Sequence, residues 1–339
     1  ASLTLLAFLT YAAIGLAYIA GTPYHADAVV APHRAAELLL QGREPYAAFD
    51  MPEALARFGL DPELNTHLVD GSVLRTYSYP ALSFLVVTPF VALGLGDIRW
   101  IYLTLVLILA ALVSARLRPA WRPFAVATVF GSEVIARQNV LAGIDPTWAL
   151  LLLGAWIARR RPWLSGALLG LAIADRQTAW FAAPFVLVGV ANERGAREAI
   201  RRGVVALGVF LLVHAPFVIA SPARTVDSVL GPLVQPLVSD GVGLMRFGVR
   251  DLYSPPFARE VYTALALVAL AALLLLLWRR PRAVSSAPLV WPFLTLYFAW
   301  RSLQNYFAFA GPFALAADDE LMDGPAVTPA VRGDVAPRA

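Results

Sequence analysis

The chain has 339 residues, of which 59% are apolar and 15% are charged, and its formal net charge is +4. A membrane-spanning helix needs about 20 residues, so this apolar content is enough for about ten spans and excludes an ordinary soluble enzyme and a disordered chain. The chain has no cysteine, which excludes disulfides, zinc–thiolate sites and cysteine nucleophiles. Its positive charge comes from arginine alone, and no nucleic-acid partner is expected.

The first apolar run, Ser2–Ala20, predicts a membrane span. A signal peptide is the alternative, but no basic segment precedes this run and no soluble domain follows it. The polar stretch 21–76 is predicted to be a large first extracytoplasmic loop, with helical periodicity over Ala35–Gln41. A second such loop is predicted over 221–260, and a disordered, acidic, Pro-rich tail over 318–339.

Ten further apolar runs predict an all-α, polytopic membrane protein of about 9–11 helices. Residues 1–317 are expected to form one transmembrane domain. The runs are Tyr79–Leu95, Ile98–Ala115, Pro123–Ala136, Leu141–Ala158, Trp163–Ala174, Thr178–Ala191, Gly203–Ala220, Val261–Trp278, Leu289–Trp300 and Tyr306–Ala317.

Clusters of arginine fall between these runs and indicate the cytoplasmic side. An even number of runs separates each cluster from the next, so all of them can share one side of the membrane. The clusters are Arg116/Arg118/Arg122, Arg159–Arg161, Arg194/Arg197/Arg201/Arg202 and Arg279/Arg280/Arg282.

The run Tyr79–Leu95 conflicts with this topology if it crosses the membrane completely. It contains Pro80, Pro89 and Gly94, and Gly96 follows it directly, so we predict that it is broken or re-entrant. Irregular backbone at membrane depth is tolerated where protein or a water-filled cavity lines it, which makes this run part of a candidate site. The alternative is an ordinary span that violates the arginine rule once.

The runs Trp163–Ala174 and Thr178–Ala191 are each too short for a full crossing, and charged residues lie between them. Asp175 and Arg176 are therefore predicted at the tip of a hairpin that ends in a polar cavity, where ionisable groups are functional candidates. The alternative is a tip that reaches the aqueous surface.

Several polar residues collect on the predicted outer side. Arginines bind phosphate and stabilise it as a leaving group, and a nearby carboxylate can take a proton from an acceptor hydroxyl. This pattern suits a reaction on an anionic, lipid-linked donor. When Asp27 is considered without the other polar residues, it is better explained as the N-terminal cap of the following helix. The set comprises His25, Asp27, Asp50, Arg99, Arg137, Asp145, Asp175, Arg176 and Arg301.

No cofactor is expected. A divalent cation has no support, because the four histidines lack ligand spacing and Asp27 has no acidic neighbour. A Gly-rich nucleotide loop is also missing, which disfavours a nucleotide-sugar donor and an ATP-driven pump.

The order of these features resembles the GT-C superfamily of integral-membrane glycosyltransferases, and in particular its polyprenyl-phosphate-mannose-dependent alpha-mannosyltransferase branch. The likeness extends over residues 1–315 and rests on the order and spacing of short motifs. These are the early acid Asp27, Gly42-Arg43-Glu44-Pro45-Tyr46, Tyr79-Pro80-Ala81-Leu82, Arg137-Gln138-Asn139, Gly166-Ala167-Leu168-Leu169-Gly170, Asp175-Arg176-Gln177-Thr178 and Asn305-Tyr306 before Pro312.

The resemblance implies transfer of a hexose, expected to be mannose, from a polyprenyl-phosphate donor to a lipid- or glycan-linked acceptor hydroxyl. It implies inversion at the anomeric carbon, Asp27 as general base, and a site that faces outward from the cell's inner membrane. Donor-phosphate or substrate contacts are expected from His25, Tyr79, Arg99, Arg137, Gln138, Arg176, Gln177, Arg301, Asn305 and Tyr306.

Two other hypotheses remain. A transporter or lipid flippase also uses broken helices, but transporters often have two similar halves, and stretch 21–76 has no counterpart here. A non-catalytic relative of the glycosyltransferases is favoured if Asp27 faces bulk water or only caps a helix.

Overall fold

The computed structural model of this chain describes residues 2–123, 126, 145–247, 257–279 and 287–317. Regular structure over these ranges is helical apart from two short strands that pair in parallel, β1 (Asp240–Gly241) and β2 (Arg301–Ser302). The helices are α1 (Ser2–Gly21), α2 (Asp27–Leu40), α3 (Pro45–Ala48), α4 (Met51–Arg57), α5 (Leu82–Leu85), α6 (Thr88–Ala92), α7 (Arg99–Arg116), α8 (Thr147–Ile157), α9 (Pro162–Asp175), α10 (Thr178–Arg194), α11 (Ala196–Ala220), α12 (Pro222–Val234), α13 (Arg259–Arg279), α14 (Ala287–Tyr297) and α15 (Ala310–Ala317).

Four helices of the described ranges, α1, α7, α11 and α13, are long and apolar enough to cross a membrane. Shorter apolar segments accompany them at Leu82–Ala92, in α9 and in α14. Large apolar side chains on the long helices are exposed, among them Leu9, Leu212 and Leu276. Exposed apolar surface of this extent suits contact with lipid. The predicted all-α, polytopic membrane fold is confirmed.

Some predicted features lie outside the described residues. They include most of the run Pro123–Ala136, the turn with Arg137 and Gln138, and the tail 318–339. The described part of the run Leu141–Ala158 forms α8, whose first residue is Thr147.

The predicted first loop is itself folded into short helices. The structure begins α2 at Asp27, so the helix includes most of the periodic stretch Ala35–Gln41 and starts where a helix after Asp27 was expected, and the apolar face of α2 is buried. Side-chain oxygens of Glu44 and Asp50 accept hydrogen bonds from backbone N–H groups of α3 and α4. Such caps satisfy donors that have no partner within the helix, and they fix where α3 and α4 begin.

The segment Tyr79–Leu95 is broken, as predicted. It contains the short helices α5 and α6 instead of one continuous span. Pro80 precedes α5, and Pro89 lies in the first turn of α6. The backbone N–H of Ala81 donates a hydrogen bond to Nε2 of His214 in α11, at 3.1 Å. A side chain of a long helix thus satisfies a donor where the segment starts, which is how irregular backbone is tolerated at depth.

The hairpin of α9 and α10 has a buried tip. Asp175 is 0% exposed and Arg176 is 8% exposed, so the alternative that the tip reaches bulk water is wrong. Small residues let α9 approach α11 closely, since a Cβ at Gly170 would lie 2.6 Å from the carbonyl oxygen of Ala206. This close packing fixes the position of the hairpin against α11.

The two predicted loops contact each other at one end of the helices. The N–H of Val69 donates to the carbonyl of Pro236 at 2.8 Å, and the N–H of Val238 donates to the carbonyl of His67 at 3.0 Å. These backbone hydrogen bonds join stretch 21–76 to stretch 221–260. Both loops therefore lie on one side of the helices, as their predicted topology requires.

Arginine clusters meet at the other end. Arg202 donates to the carbonyl of Arg159 at 2.7 Å, and Arg159 pairs with Glu193 at 3.1 Å. From this end α9 runs for 14 residues, about 20 Å, to Asp175. The arginine end and the buried tip thus occupy opposite ends of the hairpin.

Candidate functional site

A cavity of about 450 Å³ lies where the hairpin tip meets the two loops. Its wall combines a carboxylate, three arginines and a large apolar surface. Seven residues predicted from the sequence as site residues line it: Asp27, Tyr79, Arg176, Gln177, Arg301, Asn305 and Tyr306.

Asp27 is the carboxylate of this wall. It is the first residue of α2, whose N-cap is Ala26, so Asp27 does not cap the helix through its side chain. Its Oδ2 accepts a hydrogen bond from Oγ1 of Thr66 at 3.2 Å. Burial raises the pKa of Asp27, while the hydrogen bond from Thr66 and the positive charges of Arg301 and Arg176 lower it, and the balance lies above the ordinary value.

Arg176 projects into the cavity from the hairpin tip. Its Cζ lies 3.9 Å from the centroid of the Tyr79 ring, which places the guanidinium over the aromatic face. Its Nη2 lies 3.6 Å from Oδ2 of Asp145, and Asp145 is 2% exposed. The guanidinium is therefore held between an aromatic ring and a buried carboxylate.

Arg301 comes from β2, between α14 and α15. The parallel pairing of β2 with β1 brings Arg301 opposite Asp240 of the second loop. Its Nη1 donates to the carbonyl of Val238 at 3.2 Å, and the neighbouring Trp300 donates through Nε1 to the carbonyl of Leu237 at 2.7 Å. These bonds fasten the turn after α14 to the second loop and hold a second guanidinium at the cavity.

Gln177 connects the hairpin tip to its surroundings. Its Nε2 donates to the carbonyl of Ser78, just before the broken segment, at 2.8 Å and to the carbonyl of Val229 in α12 at 3.0 Å. Both amide hydrogens are used in this way. Across the cavity, the buried Oδ1 of Asn305 has no hydrogen-bonding partner among the described residues.

The apolar part of the wall comes mainly from α10, α12, α13 and α14. Arg259, the first residue of α13, donates to the carbonyls of Leu233 and Val234 and so joins α13 to the end of α12 beside the cavity. Apolar residues from several helices and loops line the cavity beside this junction. They are Phe181, Pro232, Leu233, Leu237, Ala266, Leu267, Leu296, Ala299 and Leu303.

The structure does not bring Arg99 and His25 to the cavity. Arg99 is 1% exposed, binds Asp97 at 2.6 Å, and donates to the carbonyls of Ile19 and Thr22 at the end of α1. Its guanidinium therefore supplies hydrogen-bond donors to backbone carbonyls at the end of α1, which have no partner within the helix. His25 is exposed in the connection between α1 and α2. Arg137 and Gln138 lie outside the described residues.

Sequence reasoning missed other residues of the wall. Thr66, Arg259 and Trp300 line the cavity, and no motif or spacing distinguishes them. Asp145 is one of the polar residues that the sequence predicts on the outer side. Its Oδ1 accepts a hydrogen bond from the N–H of Thr147 at the start of α8, at 2.8 Å, and its Oδ2 pairs with Arg176.

No cluster of three or more histidine, aspartate or glutamate side chains that could hold a metal ion occurs within the part of the chain that the structure describes. Among the described residues of the wall, Arg176, Arg259 and Arg301 outnumber the single carboxylate. A cavity of this charge favours an anionic ligand, and its apolar surface favours a ligand with a hydrocarbon part.

Fold and cavity together define a helical membrane protein with a charged, partly apolar site. A family model, that of glycosyltransferase family 87, matches residues 77–236, a stretch slightly shorter than half of the chain. The match covers the broken segment, the hairpin and α12, and it supports a membrane glycosyltransferase of the GT-C type. Searches of curated proteins and of solved structures gave no match.

Proposed function

We propose that this protein transfers a hexose, expected to be mannose, from a polyprenyl-phosphate donor to a hydroxyl group of a lipid- or glycan-linked acceptor. The observation that carries the proposal is the shared cavity of Asp27, Arg176 and Arg301, with an apolar wall beside them. The similarity to glycosyltransferase family 87 supports sugar transfer as the class of reaction. The donor, the sugar and the stereochemistry are our inference.

Asp27 acts as the general base of this reaction. The acceptor oxygen attacks the anomeric carbon while its proton passes to the Asp27 carboxylate. The bond from the anomeric carbon to the phosphate oxygen breaks, and attack from the face opposite the phosphate inverts the configuration. Because burial raises the pKa of Asp27, its carboxylate is a stronger base than an exposed aspartate.

Arg176 and Arg301 bind the donor phosphate and stabilise the charge that it gains on departure. A planar guanidinium can donate two parallel hydrogen bonds to phosphate oxygens. Arg176 is already fixed by the ring of Tyr79, and Arg301 by the carbonyl of Val238. Donors that are held in place before reaction stabilise a transition state without reorganisation.

The apolar wall receives the first part of the polyprenyl chain. We infer that the cavity faces outward from the inner membrane, because the arginine clusters lie at the other end of the hairpin and arginine marks the cytoplasmic side. No step requires a cofactor. The protein's partners are then the lipid-linked donor, the acceptor and the bilayer itself.

The test is a transfer assay with the full chain in lipid nanodiscs, polyprenyl-phosphate mannose as donor, and a panel of lipid-linked and glycan acceptors. We expect a glycosylated product whose new linkage has the anomeric configuration opposite to that of the donor. A retained configuration contradicts the single-step mechanism. Failure of transfer to every acceptor, combined with movement of the donor across proteoliposomes, would support a flippase and overturn the proposal.

A further inference from the structure

A hairpin of the first loop brings Thr66 to the carboxylate of Asp27. The N–H of Leu74 donates to the carbonyl of Thr66 at 2.8 Å. The buried side chain of Asn65 joins the same two strands of the hairpin, since its Nδ2 donates to the carbonyl of Leu74 at 3.0 Å. The backbone of Thr66 is therefore held in place by hydrogen bonds within the hairpin.

The hydroxyl of Thr66 is a neutral donor to this carboxylate. Its Oγ1 lies 3.2 Å from Oδ2 of Asp27. The guanidinium groups of Arg176 and Arg301 have hydrogen-bonding or ionic partners elsewhere in the site. Threonine is β-branched, so its χ1 angle has few allowed values and the position of its hydroxyl follows from the backbone. Thr66 can thus hold one oxygen of Asp27 in a fixed place.

The same hairpin is joined to the segment that holds Arg301. The N–H of Val238 donates to the carbonyl of His67, the residue next to Thr66, at 3.0 Å. The carbonyl of Val238 in turn accepts from Nη1 of Arg301 at 3.2 Å. A short series of contacts therefore connects the proposed base, through Thr66 and Val238, to an arginine that is proposed to bind phosphate.

We propose that Thr66 is a positioning residue that orients the carboxylate of Asp27 toward the acceptor hydroxyl and fixes its place relative to Arg301. Thr66 takes no proton itself and acts through Asp27. This inference rests on the proposed function, in which Asp27 is the general base. A displacement of about 1 Å in an active site can lower the rate about 10²-fold, so a hydrogen bond that orients the base affects kcat.

A valine substitution tests the assignment, because Thr66→Val keeps the shape of the side chain and removes the donor. At a pH where Asp27 is ionised, kcat is expected to fall by about 10–100-fold, with a donor KM within about twofold of the wild type. Thr66→Ser keeps the hydroxyl but not the restricted χ1, so its kcat should lie between the two. Thr104→Val, at an exposed position of α7, is the matched control. Equal kcat values for Thr66→Val and Thr104→Val would overturn the proposal.

The pH dependence separates this role from a general structural one. The charged and titratable side chains around Asp27 are Arg176, Arg301, Tyr79 and Tyr306. The hydrogen bond from Thr66 lowers the pKa of Asp27. Thr66→Val should therefore move the acidic limb of the kcat/KM profile to higher pH, whereas Thr66→Ser should keep it near its wild-type position. A limb that stays in place or moves to lower pH in Thr66→Val contradicts the proposal.

Thermal unfolding distinguishes this proposal from the proposed function. Thr66→Val should lower Tm less in an Asp27→Ala background than in the wild type, because the hydrogen bond is already lost there. If Asp27→Asn leaves transfer unchanged, the role of Asp27 as base is wrong, yet these Tm values still test the contact. If Asp27→Asn lowers transfer while Thr66→Val keeps the wild-type kcat and pH limb, the proposed function stands and the inference about Thr66 fails.

Discussion

The guanidinium of Arg176 lies on the ring of Tyr79, with 3.9 Å between Cζ and the ring centroid. The two residues come from the hairpin tip and from the start of the broken segment. Neither segment follows the regular path of a membrane span. The irregular backbone at the cavity thus places the ring of Tyr79 against the guanidinium of Arg176, which is proposed to bind phosphate.

The first prediction concerns this contact. Tyr79→Leu is expected to raise the donor KM by about 2–30-fold, which corresponds to about 0.5–2 kcal/mol for the loss of a cation–π interaction. Tyr79→Phe keeps the ring face and is the matched control, with an expected change of less than about twofold. Donor titration of both variants measures this, and an equal loss in the two would show that the hydroxyl of Tyr79 matters instead of its ring.

The second prediction concerns the two arginines. Arg301→Ala and Arg176→Ala are each expected to raise the donor KM by roughly 10–150-fold, because a hydrogen bond to a charged group contributes about 1.5–3 kcal/mol. Lysine at either position should restore only part of the affinity, since it lacks the planar pair of donors. Arg224→Ala, at an exposed position of α12, is the control. A donor KM that does not distinguish Arg301→Ala from this control contradicts the assignment.

The third prediction concerns pH. Asp27 must be ionised to accept a proton, and its pKa is raised by burial, so kcat/KM should increase with pH through a limb that lies above the ordinary range of aspartate. Arg301 lowers this pKa by its positive charge. Arg301→Gln should therefore move the limb to higher pH, whereas Arg224→Gln should leave it in place. A limb that moves to lower pH in Arg301→Gln contradicts the proposed proximity of the two charges.

The fourth prediction concerns Arg99. Its guanidinium binds the Asp97 carboxylate and the last carbonyls of α1, and it is not at the cavity. Arg99→Ala should destabilise the protein by about 3 kcal/mol, because removal of one partner leaves a partly buried charge and bare carbonyl groups. Thermal unfolding in detergent measures this loss. The donor KM of the protein that remains folded should be unchanged, and a raised KM would return Arg99 to the substrate-binding residues.

Much of the fold was predictable from the sequence, because span length, proline content and arginine placement are properties of single segments. The break in Tyr79–Leu95 follows from its prolines, and the buried hairpin tip follows from two short apolar runs around Asp175 and Arg176. A helix directly after Asp27 was also predicted, but Asp27 is the first residue of α2 and not its cap, because Ala26 occupies the N-cap position.

The site was predictable only in part, because contacts between distant segments leave no local pattern. Thr66 reaches Asp27 through the fold of the first loop, and Arg259 reaches α12 from the start of α13. Arg99 shows the opposite failure. An arginine before an apolar run is equally compatible with a ligand-binding role and with binding the end of a neighbouring helix, and only the tertiary structure separates the two.

Asp27 carries the central claim, and one substitution tests it most directly. Asp27→Asn keeps the size of the side chain and removes its basicity, so the transfer rate from polyprenyl-phosphate mannose should fall by about 10²–10⁴-fold, the usual contribution of a general base. Donor binding should be retained. Asp227→Asn, at an exposed position of α12, is the matched control and should transfer as the wild type does. Transfer by Asp27→Asn at the wild-type rate would contradict the account.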